Sequence, residues 1–129
     1  MDNVFLDTSA VLAGELKKHK KCFISPITLS ELEHIKTSDR PDHIKYLARE
    51  AIRDILANPA IVYTTYKQKD VDKLLKKYNF LSNINDHRIL CEAILTASEC
   101  DDNVNFVTND AAQYIFGLRI PKLTSHYLG

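Results

Sequence analysis

The sequence predicts an α/β fold: a three-layer α/β/α sandwich with a mostly parallel central sheet. Three observations carry this. Short apolar runs alternate with segments of helical periodicity, the runs are apolar at consecutive positions, and each ends abruptly in polar residues. Strands buried on both faces under crossover helices have this signature, whereas a half-exposed antiparallel sheet alternates apolar with polar.

The elements follow in order. Val4-Phe5-Leu6 is a strand ending in Asp7-Thr8-Ser9, and a helix is expected from about Ala10 to Lys18. Cys22-Phe23-Ile24 is a second strand, stopped by Ser25-Pro26, and a short helix fits Leu29 to Lys36. Ile44, Leu47, Ala48, Ala51, Ile52, Ile55 and Leu56 follow the i, i+3, i+4, i+7 rule and form the clearest helix, which Asn58-Pro59 ends. Ile61 to Thr65 is rich in β-branched residues and reads as a strand. Val71, Leu74, Leu75 and Tyr78 mark a helix, with Lys73, Lys76 and Lys77 on its solvated side. Ile89, Leu90, Ala93, Ile94 and Ala97 mark another. Val104 to Thr108 is a strand leading into Asn109-Asp110, followed by a short helix near Ala111 to Phe116 and a last stretch at Ile120 to Leu123.

At 129 residues, with no repeat or composition shift, the chain is expected to form one domain over residues 1–129. No apolar run approaches the roughly 20 residues that span a bilayer, so no membrane partner is expected. The N-terminal residues lack the positive segment of a secretory signal. Cys22, Cys91 and Cys100 are an odd set without C-x-x-C spacing. They point to a reducing, cytoplasmic location and away from disulfides or a cysteine zinc site. Seventeen Lys and Arg balance seventeen Asp and Glu, so no broad positive field advertises nucleic acid. A polyanion would have to be held by local patches or by bound cations.

In open α/β sheets ligands bind beyond the carboxyl ends of the strands. Four acids fall there. Asp7 follows the first strand, Glu31 lies in the first turn of the helix after the second, Asp86 opens a helix with its side chain toward the core rim, and Asp110 follows the strand ending at Thr108. Each has a structural explanation: Asp7, Asp86 and Asp110 suit helix N-caps, and Thr28-x-x-Glu31 matches a capping box. Four caps have no reason to share one edge of a sheet, and four gathered carboxylates repel one another. Convergence makes sense around a cation. Oxygen donors suit Mg²⁺ or Mn²⁺, and phosphodiester hydrolysis is the chemistry such ions serve.

The chain resembles a PIN domain over almost its whole length. The resemblance rests on Val4-Phe5-Leu6-Asp7-Thr8-Ser9, Ser25-Pro26-Ile27-Thr28-Leu29-Ser30-Glu31-Leu32, Asn85-Asp86-His87-Arg88-Ile89-Leu90 and Phe106-Val107-Thr108-Asn109-Asp110, in that order and spacing. The second and third pieces, with Leu47-Ala48-Arg49-Glu50-Ala51 between them, are most similar to PIN domains of PhoH-like proteins; VapC-type toxins are a more distant comparison. No G-x-x-x-x-G-K motif of the PhoH-like ATPase module is present.

The resemblance implies a divalent-metal-dependent endoribonuclease with Asp7, Glu31, Asp86 and Asp110 as catalytic and metal-holding residues, Asp110 being the most variable of the four. It implies supporting hydrogen bonds from Thr8, Ser9 and Thr108, a single-stranded RNA substrate, and a homodimer. Two alternatives stand beside it: a toxin-type ribonuclease controlled by an antitoxin partner, and a PIN-like binding or assembly module without catalysis.

Basic residues are the remaining candidates. Lys20 and Lys21, in the run Lys17 to Lys21, link the first helix to the second strand and are candidates to grip phosphate near the acids; the alternative is a solvated helix end. Arg88, two residues past Asp86, is a candidate substrate contact or a surface partner of Glu92 one turn on. His87, next to Asp86, is a candidate general base, with an exposed residue at a helix start as the alternative.

Overall fold

A computed structural model describes residues 1–78 and 83–129. The strands are β1 (Val4–Leu6), β2 (Cys22–Ile24), β3 (Ile61–Tyr63), β4 (Val104–Thr108) and β5 (Leu123–Tyr127). The helices are α1 (Thr8–Leu12), α2 (Pro26–Lys36), α3 (Asp42–Ala57), α4 (Gln68–Lys77), α5 (Ile84–Glu99) and α6 (Ala111–Gly117), with a 3-10 turn at Glu15–Lys18.

The strands form one sheet in the order β3-β2-β1-β4-β5, and every neighbouring pair is parallel. Side chains of a strand alternate between faces. Val4 and Leu6 accordingly enter a core shared with residues of α1, α2 and α3, while Phe5 enters a second core shared with Ile89, Leu90, Ala93 and Ala97 of α5. The predicted three layers follow from those two cores. No helix among the described residues is long and apolar enough to cross a membrane.

From β1 the chain steps outward to β2 and β3, then returns to the other side of β1 to add β4 and β5. The switch point of the sheet is therefore the crevice between the carboxyl ends of β1 and β4. Leu6 pairs with Val107, and the Asp7 amide donates to the Val107 carbonyl at 3.3 Å, so Asp7 and Thr108 leave the sheet side by side.

Several sequence expectations need correction. The helix expected from Ala10 to Lys18 is two pieces, because Gly14 takes φ +88°, a left-handed conformation that ends α1 and starts the 3-10 turn. Helix α2 starts at Pro26 rather than Leu29, with Ser25 as its cap and Pro at its first position. In α3 the buried residues are Ala48, Ala51, Ile52 and Ile55; Leu47 and Leu56 face solvent, Leu56 at 71% exposure. The apolar stripe is wider than the surface available to cover it. Strand β3 stops at Tyr63, and as an edge strand it leaves Val62 and Tyr63 exposed. The final stretch is a fifth strand, centred on Thr124, Ser125 and His126, that an apolar pattern cannot reveal.

Candidate active site

Asp7 is 2% exposed and tightly held. Its Oδ1 accepts from the Ala10 amide at 2.9 Å and from Ser9 Oγ at 2.8 Å, and its Oδ2 accepts from Thr108 Oγ1 at 2.5 Å. The N-cap expectation holds for Asp7, and the cap bond fixes one oxygen while Thr108 fixes the other. Thr108 Oγ1 also accepts from the Asp110 amide at 2.9 Å, and Ser9 Oγ accepts from the Asn109 amide at 2.8 Å. Asp110 caps α6 through Oδ1, which accepts from the Gln113 amide at 3.0 Å.

Glu31 belongs to no capping box. Ser25 caps α2 by accepting from the Ile27 amide, which places Thr28 and Glu31 inside the helix. Glu31 Oε1 instead accepts from Thr8 Oγ1 at 2.6 Å, and the Thr8 and Thr28 hydroxyls lie 3.0 Å apart. Asp86 is likewise no cap. Asn83 Oδ1 accepts from the amides of Asn85 and Asp86, so the Asp86 side chain, in the first turn of α5, is left to the site.

The electrostatics bring the four together. Burial, then the negative charges of Asp110, Glu31 and Asp7, push the Asp86 carboxyl up to about 6. Burial also raises Asp7 to about 6; the hydrogen bonds from Thr108, Ala10 and Ser9 oppose the rise, and the charge of Asp110 adds to it. All the donors are hard oxygens, which fit Mg²⁺ or Mn²⁺. Among the described residues no three His, Cys, Asp or Glu side chains are drawn tightly enough to hold an ion unaided. Mg²⁺ keeps several waters and takes only one or two carboxylates directly.

Gln113, absent from the sequence reading, and Thr28, read there as a helix cap, complete the frame. Gln113 is 1% exposed; its Nε2 donates to the Asp86 backbone carbonyl at 2.8 Å, and its Oε1 lies 3.3 Å from Thr108 Oγ1. Thr28 is fully buried against Thr8. A lone Gln or Thr carries no sequence signal of such a role.

The basic candidates part ways. Lys20 and Lys21 precede β2 and line a cleft with Asp2, Asn3 and Asp102, at the amino edge of the sheet. Asp7, Glu31 and Asp110 come after strands, at the carboxyl edge, and Asp86 opens the helix that returns from that edge to β4, so these lysines are not beside them. In a parallel sheet the residue before a strand and the residue after it are always on opposite edges. Arg88 stays on the carboxylate side, and its ion-pair partner is Asp72 at 3.7 Å rather than Glu92, which is buried. His87 is buried rather than exposed; its Nε2 has no hydrogen-bond partner among the described residues, and burial favours the neutral ring.

A PIN-domain family model matches residues 2–118, and the chain belongs to the PIN-domain family, whose members are generally nucleases. No curated protein matches the sequence. Among solved structures the chain is similar to VapBC-5, a member of the VapBC family of toxin-antitoxin systems from Mycobacterium tuberculosis. The two are 16% identical with a TM-score of 0.64, over 98% of this chain and 99% of that one. It is also similar to VapBC2 from Rickettsia felis, solved bound to a promoter DNA fragment, at 18% identity and a TM-score of 0.56 over 96% and 98% of the two chains. A domain of a functionally unknown protein from Methanocaldococcus jannaschii is 20% identical, with a TM-score of 0.61 over 98% and 91%. At these identities the likeness is one of fold.

Proposed function

We propose that this PIN domain is a divalent-metal-dependent endoribonuclease that hydrolyses phosphodiester bonds of single-stranded RNA. The observation that carries the reading is the environment of Asp86: a carboxylate freed from capping by Asn83 and set among the charges of Asp7, Glu31 and Asp110. A retired site gains nothing by keeping that repulsion.

In this reading Asp7, Glu31, Asp86 and Asp110 hold Mg²⁺ or Mn²⁺. The ion supplies Lewis-acid activation of water and neutralises charge on the phosphate. The chain's own part is orientation. Thr108 and Ser9 hold the Asp7 carboxylate, and Thr8 holds Glu31, so that neither must reorganise when substrate arrives. Arg88, half-buried on the same edge, faces the RNA. The three cysteines, none in a disulfide, fit a cytoplasmic protein.

The test is cleavage of labelled single-stranded RNA by purified protein with Mg²⁺ or Mn²⁺, against the chelated control. Cleavage that needs the ion and is abolished in Asp7→Asn and Asp86→Asn is expected. Full activity in both variants would sink the mechanism.

A second reading is favoured by the fold likeness to VapBC assemblies: the same nuclease held silent by an antitoxin protein, working as a homodimer. Growth arrest on expression, relieved by a co-expressed neighbouring gene, separates it from a free-standing nuclease.

A further inference from the structure

On the carboxyl edge that carries the four acids lies a cavity of about 350 Å³ that the proposed chemistry does not use. It is lined by Pro26, Ile27, Thr64, Tyr66, Arg88 and Glu92, among others. Ser25 and Thr64 directly follow β2 and β3, so the cavity opens on the same carboxyl edge of the sheet, one strand pair away from the crevice. Pro26 begins the helix that carries Glu31, and Arg88 is two residues past Asp86. The cavity and the acids are thus joined through α2 and α5.

The polar groups around it are arranged for recognition. Glu92 is 5% exposed, yet no cation stands within ion-pair distance of it among the described residues. Its Oε2 accepts from Ser25 Oγ and its Oε1 from Thr64 Oγ1. Each carboxylate oxygen has two lone pairs, so one acceptor position per oxygen is left after those bonds. Arg88, one turn earlier on α5, brings donors to the same space, and among the described residues its ion-pair contact is a loose 3.7 Å one to Asp72. Tyr66 supplies a wall: its hydroxyl is tied to Thr96 at 3.0 Å and to Glu99 at 3.1 Å, which holds the ring in place.

We infer that this cavity is a base-recognition pocket selecting guanine in the RNA substrate. Guanine offers adjacent N1–H and N2–H donors to the paired oxygens of Glu92, beside an O6 acceptor for Arg88, and a flat face for Tyr66. Adenine and cytosine lack the two adjacent donors, and uracil has a single donor between two carbonyls. The inference rests on the ribonuclease reading and adds its specificity determinant.

The test is anisotropy binding of two labelled RNA pentamers, identical except for a central G or A, in chelator so that nothing is cut. The wild type should hold the G pentamer about tenfold more tightly, the scale of one good bidentate contact. In Glu92→Gln, which replaces one acceptor oxygen with a donor, that preference should vanish. Arg88→Lys leaves the Ser25–Glu92–Thr64 bonds alone and should also reduce it, guarding against a Glu92 variant that does not fold. Equal affinity of the wild type for both pentamers would overturn the pocket, as would a melting-temperature loss in Glu92→Gln with the preference intact, which is the behaviour of a purely structural clamp. Cleavage assays run beside it keep the two readings apart. Guanine preference without cleavage supports the pocket and sinks the nuclease, and cleavage without base preference does the reverse.

Discussion

Gln113 Nε2 donates to the backbone carbonyl of Asp86 at 2.8 Å, across an interval of 27 residues. The bond ties the first turn of α5 to the start of α6, and so ties the element carrying Asp86 to the end of β4, where Thr108 and Asp110 lie. A buried amide is costly to leave unpaired, so the bond holds both elements in one register.

Replacing that amide should loosen both. Gln113→Leu is expected to cost about 1–3 kcal/mol in denaturant unfolding, the penalty for stranding buried polar groups. It should also weaken Mn²⁺ binding measured by calorimetry, while Gln113→Glu, which keeps the size but loses the donor when ionised, should weaken it too. Unchanged Mn²⁺ affinity in both variants would reduce Gln113 to a core filler.

Thr108 does two things with one hydroxyl, donating to Asp7 and accepting from the Asp110 amide. Thr108→Val conserves shape and removes both. Because the Thr108 bond opposes the upward push of burial on Asp7, its loss should raise that carboxyl further. The pH at which Mn²⁺ binding reaches half its maximum should move up, a shift that a stability measurement alone does not show.

Protons and metal compete for the same oxygens. With Asp7 and Asp86 both near 6, cleavage and metal affinity should fall steeply below pH 6, by about tenfold per unit for each proton that must leave. Above pH 7 the profile should be flat. A profile already flat at pH 5 would mean that neither carboxyl has to be deprotonated for binding.

The same shifts set the stability of the metal-free protein. Both carboxyls are raised from 3.8 to about 6 in the fold. Their protonated forms therefore favour folding below about pH 4, and that contribution is lost as pH rises through 6. Asp86→Asn should be more stable than wild type at pH 7, by about 1 kcal/mol after allowance for solvent screening, and no more stable at pH 4. Thermal melts at the two pH values in chelator check the sign. Added Mn²⁺ should stabilise the wild type and leave the variant behind.

Much of this was legible in the chain. Apolar runs such as Val4-Phe5-Leu6 cannot rest anywhere but between two helical layers, and a residue that ends a buried parallel strand must emerge at the carboxyl edge. That reasoning was enough to bring out Asp7 and Asp110, and with them the edge on which Glu31 and Asp86 lie. Helix α5 was plain from Ile89, Leu90, Ala93 and Ala97, all of which are buried. The family was legible in the order of four short pieces.

Other features were decided only by tertiary contact. Ser25 rather than Thr28 caps α2: Ser25 accepts from the Ile27 amide while donating to Glu92, 67 residues on, and Thr28 packs against Thr8. That Lys20 and Lys21 lie away from the acids follows from the parallel sheet, since they precede β2 while Asp7 and Asp110 come after strands. Strand β5, with Thr124, Ser125 and His126, exists because β4 offers a parallel edge to pair with. Gln113 and Glu92 became buried polar anchors because partners 27 and 67 residues away were carried to them. Local sequence determines which face of an element is apolar and where a strand must end, since those are properties of neighbours in the chain. Which polar groups are buried together is a property of how the elements stack, and only the packed fold supplies the partners that make such burial affordable.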